Sequence, residues 1–292
     1  MRNIILLLTF CFSALALNTE QLEKIPTLNG GRVKPLYVQA KESIKFITGK
    51  SSLNGKSATE LYYDLSLSEV TNKSVKLPIL VEHVDAKEFL KLDLDKTQFE
   101  LAPLLSQHDF IRAKVMQIKG STPLKKELTK VWSRLNRYKK IKSGEDFKIY
   151  EANSWVSINN LFNADTGLSE INNAIATSKD SYIENEGDTY LIELTLFKSH
   201  IFSIAMLFAL IAIFGTVLSK NLKWGATLAG ITIIIEIIGM TMRVLVSGRA
   251  PITNMYETVM FSGFGALVIS LIILAFKKDK LFLLAGLGYN VL

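Results

Sequence analysis

The sequence predicts a mainly α protein in two parts: an exported, soluble, α-rich domain, then a helical transmembrane bundle of three full spans and a partial fourth. Three observations carry that expectation. Residues 199–292 are almost continuously apolar, whereas residues 18–198 mix charge with hydrophobes as a water-soluble domain does. Runs at about 201–219, 225–246 and 258–276 each approach the roughly 20 residues that a bilayer-crossing helix needs. A short apolar run also opens the chain behind a single cation, Arg2.

Residues 1–17 read as a signal peptide. The run over residues 4–17 is short for a span, and Ala14-Leu15-Ala16 supplies a small-x-small cleavage pattern, placing cleavage after Ala16. An uncleaved anchor is the alternative. Either way, the hydrophilic segment that follows is expected in the periplasm. The one cysteine, Cys11, falls in this signal. The exported domain therefore has no disulfide, no thiol nucleophile and no haem-attachment motif of its own.

Within residues 18–198 the cues are mostly helical. Ser121-Thr122-Pro123 reads as a capped helix start, and Leu124, Leu128, Val131 and Leu135 recur at helical spacing behind it. Residues 86–92, 107–118 and 167–176 are also expected as helices. Extended pieces fit residues 76–81 and 147–149, and Pro78 and Pro103 break the pattern. Asn29-Gly30-Gly31 reads as a turn. No nucleophile elbow or phosphate loop is present, and His83 and His108 lack metal-ligand spacing, so both read as surface or structural residues. Trp132 and Trp155 read as core or partner-facing aromatics.

The formal net charge of +7 does not make nucleic acid an expected partner, because Lys is scattered among Glu and Asp. The densest cluster, Arg134, Arg137, Lys139, Lys140 and Lys142, reads as one solvated helix end.

Loop charges orient the membrane half. Lys220 and Lys223 follow the first span, and Lys277, Lys278 and Lys280 follow the third, so both connectors are expected in the cytoplasm. The loop over residues 247–255 is then outside, although Arg249 lies in it. Residues 281–292 form an apolar helix of about 18 Å, too short to cross. It reads either as a surface-lying helix or as the front of a fourth span in a longer protein. The cost of a free carboxylate inside the bilayer favours the second.

Glu236 lies in the middle of the second span, and Arg243 follows two turns later on the same face, about 10 Å away along the axis. The acid reads either as a group that handles a ligand or proton or as one bonded to a neighbouring helix. His200 stands at the expected outer mouth of the first span, in one layer with Arg249, Asn254, Tyr256 and Glu257. A neutral imidazole there could ligate haem iron, with Arg249 pairing to a propionate and Tyr256 and Glu257 completing the expected cofactor-binding set, or it could simply anchor the helix end.

Arg249-Ala250-Pro251-Ile252-Thr253-Asn254-Met255-Tyr256-Glu257, followed at once by an apolar span, resembles the proline, asparagine, tyrosine and glutamate motif of the CcsA/ResC family of cytochrome c biogenesis proteins. Gly30-Gly31-Arg32-Val33-Lys34-Pro35-Leu36 is similar to a segment that precedes the membrane part in CcsB–CcsA fusion-type members, and Trp155-Val156-Ser157 is also similar.

The resemblance implies a multi-pass protein of the bacterial inner membrane that handles haem b and delivers it to apocytochrome c, together with other biogenesis subunits or a missing C-terminal part. It gives Pro251, Asn254, Tyr256 and Glu257 the task of shaping the outer hairpin, and Arg32, Lys34 and Pro35 that of docking the exported domain. No catalytic residue and no metal site apart from haem is expected in this chain, and the family's tryptophan-rich haem-presenting segment is absent from its 292 residues. The chain thus reads as the front portion of a longer protein. The rival readings are a membrane-tethered periplasmic sensor and a transporter fragment using Glu236.

Overall fold

The computed structural model describes residues 18–162, 167–218, 222–250 and 252–291. The expected signal peptide, Lys220 and Pro251 lie outside them. The chain divides into two compact units, Met1–Asp188 and Thr189–Leu292. It is mainly α, as composition and periodicity predict, with three C-terminal helices long and apolar enough to cross a membrane.

In the first unit, a short helix α1 (Thr19–Glu23) is capped by Asn18, and the chain then forms the ribbon β1 (Pro26–Asn29) and β2 (Arg32–Pro35). Their register pairs Asn29 with Arg32 and Thr27 with Lys34. Gly30 and Gly31 take φ of +59° and +78°, the left-handed pair that a two-residue hairpin turn requires. The Arg-x-Lys-Pro segment is therefore the return strand of a hairpin. Lys34 Nζ lies 2.7 Å from Glu42, and Pro35 leads into α2 (Leu36–Thr48), fixing where that helix starts.

Helix α2 buries Leu36, Val38, Ala40, Ile44 and Ile47. Beyond the small ribbon β3 (Ser52–Leu53) and β4 (Lys56–Ser57), it packs on α3 (Ala58–Ser66), whose start carries a full capping box between Ser57 and Glu60. After the short α4 (Ser68–Thr71) come β5 (Pro78–Leu80), α5 (Val84–Phe89) and β6 (Gln98–Glu100), with β5 and β6 paired antiparallel. Helices α6 (Leu101–Ser106) and α7 (His108–Gln117) follow. Pro103 does not break the pattern there: it sits in the first turn of α6, where backbone N–H groups lack helical partners anyway.

Helix α8 (Pro123–Lys142) is the spine. Thr122 caps it, Pro123 opens it, and Leu128, Val131, Leu135 and Ile141 are wholly buried. The ribbon β7 (Lys148–Glu151) and β8 (Ser154–Ser157) and the long α9 (Leu168–Glu186) close the unit.

The basic cluster on α8 is not uniformly solvated. Arg134 is 5% exposed; its Nε donates to the Phe46 carbonyl at 2.9 Å and its Nη1 to the Leu80 carbonyl at 2.7 Å. Arg137 donates to Ser43 Oγ and pairs with Asp146 at 3.3 Å. These side chains face inward because α2 and β5 present backbone and hydroxyl oxygens to that side of the helix. The same Asp146 carboxylate accepts from Tyr62 Oη at 2.8 Å and Gln39 Nε2 at 2.9 Å. Burial, then the Asp146 charge, hold the Tyr62 phenol well above its ordinary value, so it stays protonated.

The second unit begins with α10 (Leu191–Ser199), which packs on the helix Leu222–Ser247. The unit boundary therefore lies before the composition shift at Lys198: α10 buries Glu193, Leu194 and Leu196 among the apolar helices. Helices α11 (Ile201–Leu218), α12 (Leu222–Ser247), α13 (Met255–Lys277) and α14 (Lys280–Val291) make the bundle. Small residues let α11 and α12 approach closely. Ala209, Ala212 and Ala229 are fully buried, and a Cβ on Gly225 would overlap the Thr216 hydroxyl. Helix α14 packs on the bundle: Leu283, Gly286 and Leu287 are buried, and Gly286 sits against Ser270 of α13.

Candidate functional site

Helix α12 ends at Gly248, whose φ of +66° and N–H bond to the Val244 carbonyl at 2.8 Å make a left-handed stop. The hairpin loop then folds on itself. Ser247 Oγ donates to the Arg249 carbonyl at 3.3 Å, and Thr253 Oγ1 donates to the Ala250 carbonyl at 2.9 Å. Asn254 takes extended backbone angles and caps α13, its Oδ1 accepting the Glu257 N–H at 2.9 Å. Glu257, three residues on, is 3% exposed. Its Oε2 accepts the Thr253 N–H at 3.1 Å, and its Oε1 accepts from Arg243 Nε on α12 at 2.9 Å.

The asparagine and glutamate of the motif thus form a shifted capping box in which the acid also latches the preceding helix. Arg243 pairs across the hairpin with Glu257, not along its own helix with Glu236. Two turns separate Arg243 from Glu236, whereas the closed loop brings Glu257 into direct reach.

Glu236 has a different partner. Asn290 Nδ2 of α14 donates to its Oε1 at 2.8 Å. The second oxygen, Oε2, is buried without a hydrogen-bond partner. Both residues line a cavity of about 250 Å³ at the hairpin end of the bundle, walled by Phe202, Met206, Met240, Tyr256, Met260 and Tyr289 among others. Of the residues the sequence singles out, the fold therefore gathers Arg243, Asn254 and Glu257 into the latch, and Glu236 and Tyr256 at the cavity. Asn290 escapes sequence reasoning. Its signal was a lone amide in an apolar helix, which demands a partner as much as a lone acid does.

His200 and Arg249 join neither group. His200 is exposed, in the left-handed break (φ +49°) between α10 and α11, and does not line the cavity. The apolar helical run that contains it starts earlier, at Leu191. Arg249 is exposed on the loop. The fit to haem b is poor. The cavity is smaller than the roughly 300–1,000 Å³ of pockets that enclose drug-sized ligands. None of its lining residues is a histidine. Arg32, Lys34 and Pro35 belong to the first unit and shape the β1–β2 hairpin.

The chain matches no protein-family model, and a search of curated proteins returns no match.

Proposed function

We propose that the chain is a membrane-embedded assembly factor for c-type cytochromes, with its first unit in the periplasm behind an export signal and its hairpin on the same side of the inner membrane. The latch of Arg243, Asn254 and Glu257 carries this reading. A membrane hairpin needs only a turn, yet this one holds an ion pair and a capping box in fixed register, and two of its three residues, Asn254 and Glu257, belong to the motif of the resembled family. The latch supports a role in presenting the exposed Arg249 and Tyr256 at the membrane surface, where haem b would pass as cargo toward apocytochrome c. On this reading a companion subunit ligates the haem, since the described cavity is small and has no histidine among its lining residues.

The test replaces the chromosomal gene with Arg243→Met and Glu257→Leu versions and with a null allele. Covalent haem in c-type cytochromes is then read by haem-dependent peroxidase staining. The reading expects loss in the null strain and a several-fold drop in each latch variant at equal protein level. Normal maturation in the null strain overturns it, as does a reporter fusion placing Tyr256 in the cytoplasm. The buried free oxygen of Glu236 favours a second reading, a transporter with a coupling carboxylate. Loss of proton-coupled flux in Glu236→Gln, with cytochromes intact, would select it.

A further inference from the structure

The C-terminal end of α8 lines a cavity in the first unit that the proposed function does not use. Tyr138 and Lys142, four residues apart and so on one face of that helix, both contribute to it. The rest comes mainly from α4 and the loop behind it. Asn72 ends α4 with a left-handed φ of +52°, a conformation asparagine tolerates better than most residues, and the chain then brings Lys73 and Ser74 to the cavity. Its volume is about 430 Å³, within the range of sites that hold small ligands.

Tyr138 is the telling group. It is 7% exposed, and its hydroxyl makes no hydrogen bond among the described residues, yet the oxygen is not sealed from solvent. Because Tyr138 lines the cavity, that opening is onto it. Burial pushes the phenol above its ordinary value, so it keeps its proton and offers a donor. Lys73, Lys142 and Ser74 likewise make no hydrogen bond or ion pair among the described residues. Glu69 is the one acid of the lining, so two ammonium groups stand against one carboxylate and the cavity is net positive.

This donor set calls for an anion with several accepting oxygens. The donors come from separate elements, α8 and the loop, so oxygens that point apart suit them better than the two coplanar oxygens of a carboxylate. A phosphate group has such oxygens, and lysine binds it as a point charge. We propose that this cavity binds a phosphate ester, whose oxygens accept from Tyr138 Oη and pair with the Lys73 and Lys142 ammonium groups. A soluble phosphomonoester and a lipid headgroup share this chemistry. The site is separate from the haem-cargo reading, and either can fail alone.

The test titrates the full chain, in a neutral detergent at low salt, with glycerol 3-phosphate by calorimetry, with thermal stability recorded for every variant. The expected result is saturable one-to-one binding, weakened about fivefold or more in Tyr138→Phe, Lys73→Gln and Lys142→Gln. Glu69→Gln should bind more tightly. Lys139→Gln, which removes a charge from the same helix outside the cavity, should bind as the unaltered chain does. Glycerate, a carboxylate of similar size, should compete at least about tenfold more weakly. Glycerophosphoglycerol, a deacylated lipid headgroup, separates the two sources: binding as tight as that of glycerol 3-phosphate assigns the site to a lipid phosphodiester, and much weaker binding assigns it to a soluble monoester. Absence of saturable binding, unchanged binding in Tyr138→Phe and both lysine variants, an equal loss in Lys139→Gln, or equal competition by glycerate each overturns the proposal.

Discussion

Arg243 Nε donates to Glu257 Oε1 at 2.9 Å, joining two consecutive apolar helices across the loop that separates them. The acid is 3% exposed and the arginine side chain 31%, so the pair is shielded on one side only. Cutting a fully buried pair costs roughly 3–5 kcal/mol because one charge is left stranded. Partial exposure of Arg243 lowers the expectation here to about 1–3 kcal/mol. Arg243→Met and Glu257→Gln should each lower the thermal midpoint of the full chain in detergent. The double variant should lose much less than the sum, because neither charge remains to be stranded. Strict additivity would show that the pair is not coupled.

Asn254 tests the capping half of the same structure. Asn254→Ala removes the acceptor for the Glu257 N–H and should cost about 1 kcal/mol. Asn254→Asp or Asn254→Ser should restore most of it, since both are good caps. A rescue that fails for both would mean that the amide nitrogen, and not the cap, matters. Proteolytic nicking of the loop in membranes is a convenient readout, because an uncapped helix start frays first.

The close approach of α11 and α12 depends on Gly225. An added Cβ there would overlap the Thr216 hydroxyl and lie 3.3 Å from the Thr216 Cα, so moving the side chain alone gives little relief. Thr216 is itself held by its bond to the Ala212 carbonyl at 2.7 Å. Gly225→Ala is expected to destabilise the bundle by about 1–3 kcal/mol, the range for overpacking. Thr216→Ala in the same chain should recover part of that loss. Differential scanning fluorimetry in detergent checks both, and an unchanged midpoint in Gly225→Ala would remove the close-packing account.

In the first unit the buried phenol of Tyr62 sets a pH dependence. Burial, then the Asp146 charge, raise its folded-state value above the ordinary 10.0, and burial pushes Tyr63 up to about 12. A raised value in the folded state means that the folded form holds the proton more tightly. The stabilisation is therefore whole below about pH 10 and is lost as pH rises past it. The urea midpoint of this unit within the full chain, followed by tryptophan fluorescence, should hold steady below about pH 10 and fall steeply above it. Tyr62→Phe should start about 1 kcal/mol lower, having lost the bond to Asp146, and fall less steeply. An identical slope in the variant would rule out Tyr62 as the source.

How far the sequence disclosed these features follows from the range of the interactions involved. The three spans were legible because a bilayer demands long apolar runs, and composition alone displays those. Thr122 and Pro123 announced α8 because capping is local. The helix starting at Ala58 is absent from the sequence expectations although Ser57 and Glu60 carry an equally local box, and so is α2, although Leu36, Val38, Ala40, Ile44 and Ile47 mark its buried face. Both signals were in the sequence. The Arg243–Glu257 pair was not legible in the same way. Within one helix, Glu236 was the nearer acid in sequence, and only closure of the loop decides between the two. Asn290 on Glu236 depends on where a fourth helix enters, which no local pattern encodes.

Arg134 shows how a residue that reads as surface charge becomes a structural tie, and it supports the sharpest stability prediction. Its guanidinium reaches the carbonyls of Phe46 at the end of α2 and Leu80 of β5. It also lies 3.5 Å from the buried Glu127, close enough for an ion pair though not aligned as a hydrogen bond. Arg134→Met keeps much of the apolar stem but leaves two carbonyls and one acid short of a partner. Lys130, 3.1 Å from the other Glu127 oxygen, offsets part of that loss. The expected cost is about 3–4 kcal/mol, near the lower end for breaking a buried pair. Arg134→Lys should recover little, since one ammonium does not span two carbonyls as a planar fork does. The double variant Glu127→Gln with Arg134→Met removes the stranded charge and should regain about 1–2 kcal/mol. Urea unfolding of the full chain separates these cases, and a loss under about 0.5 kcal/mol in Arg134→Met, the level of an ordinary surface change, would return the residue to the solvated helix end.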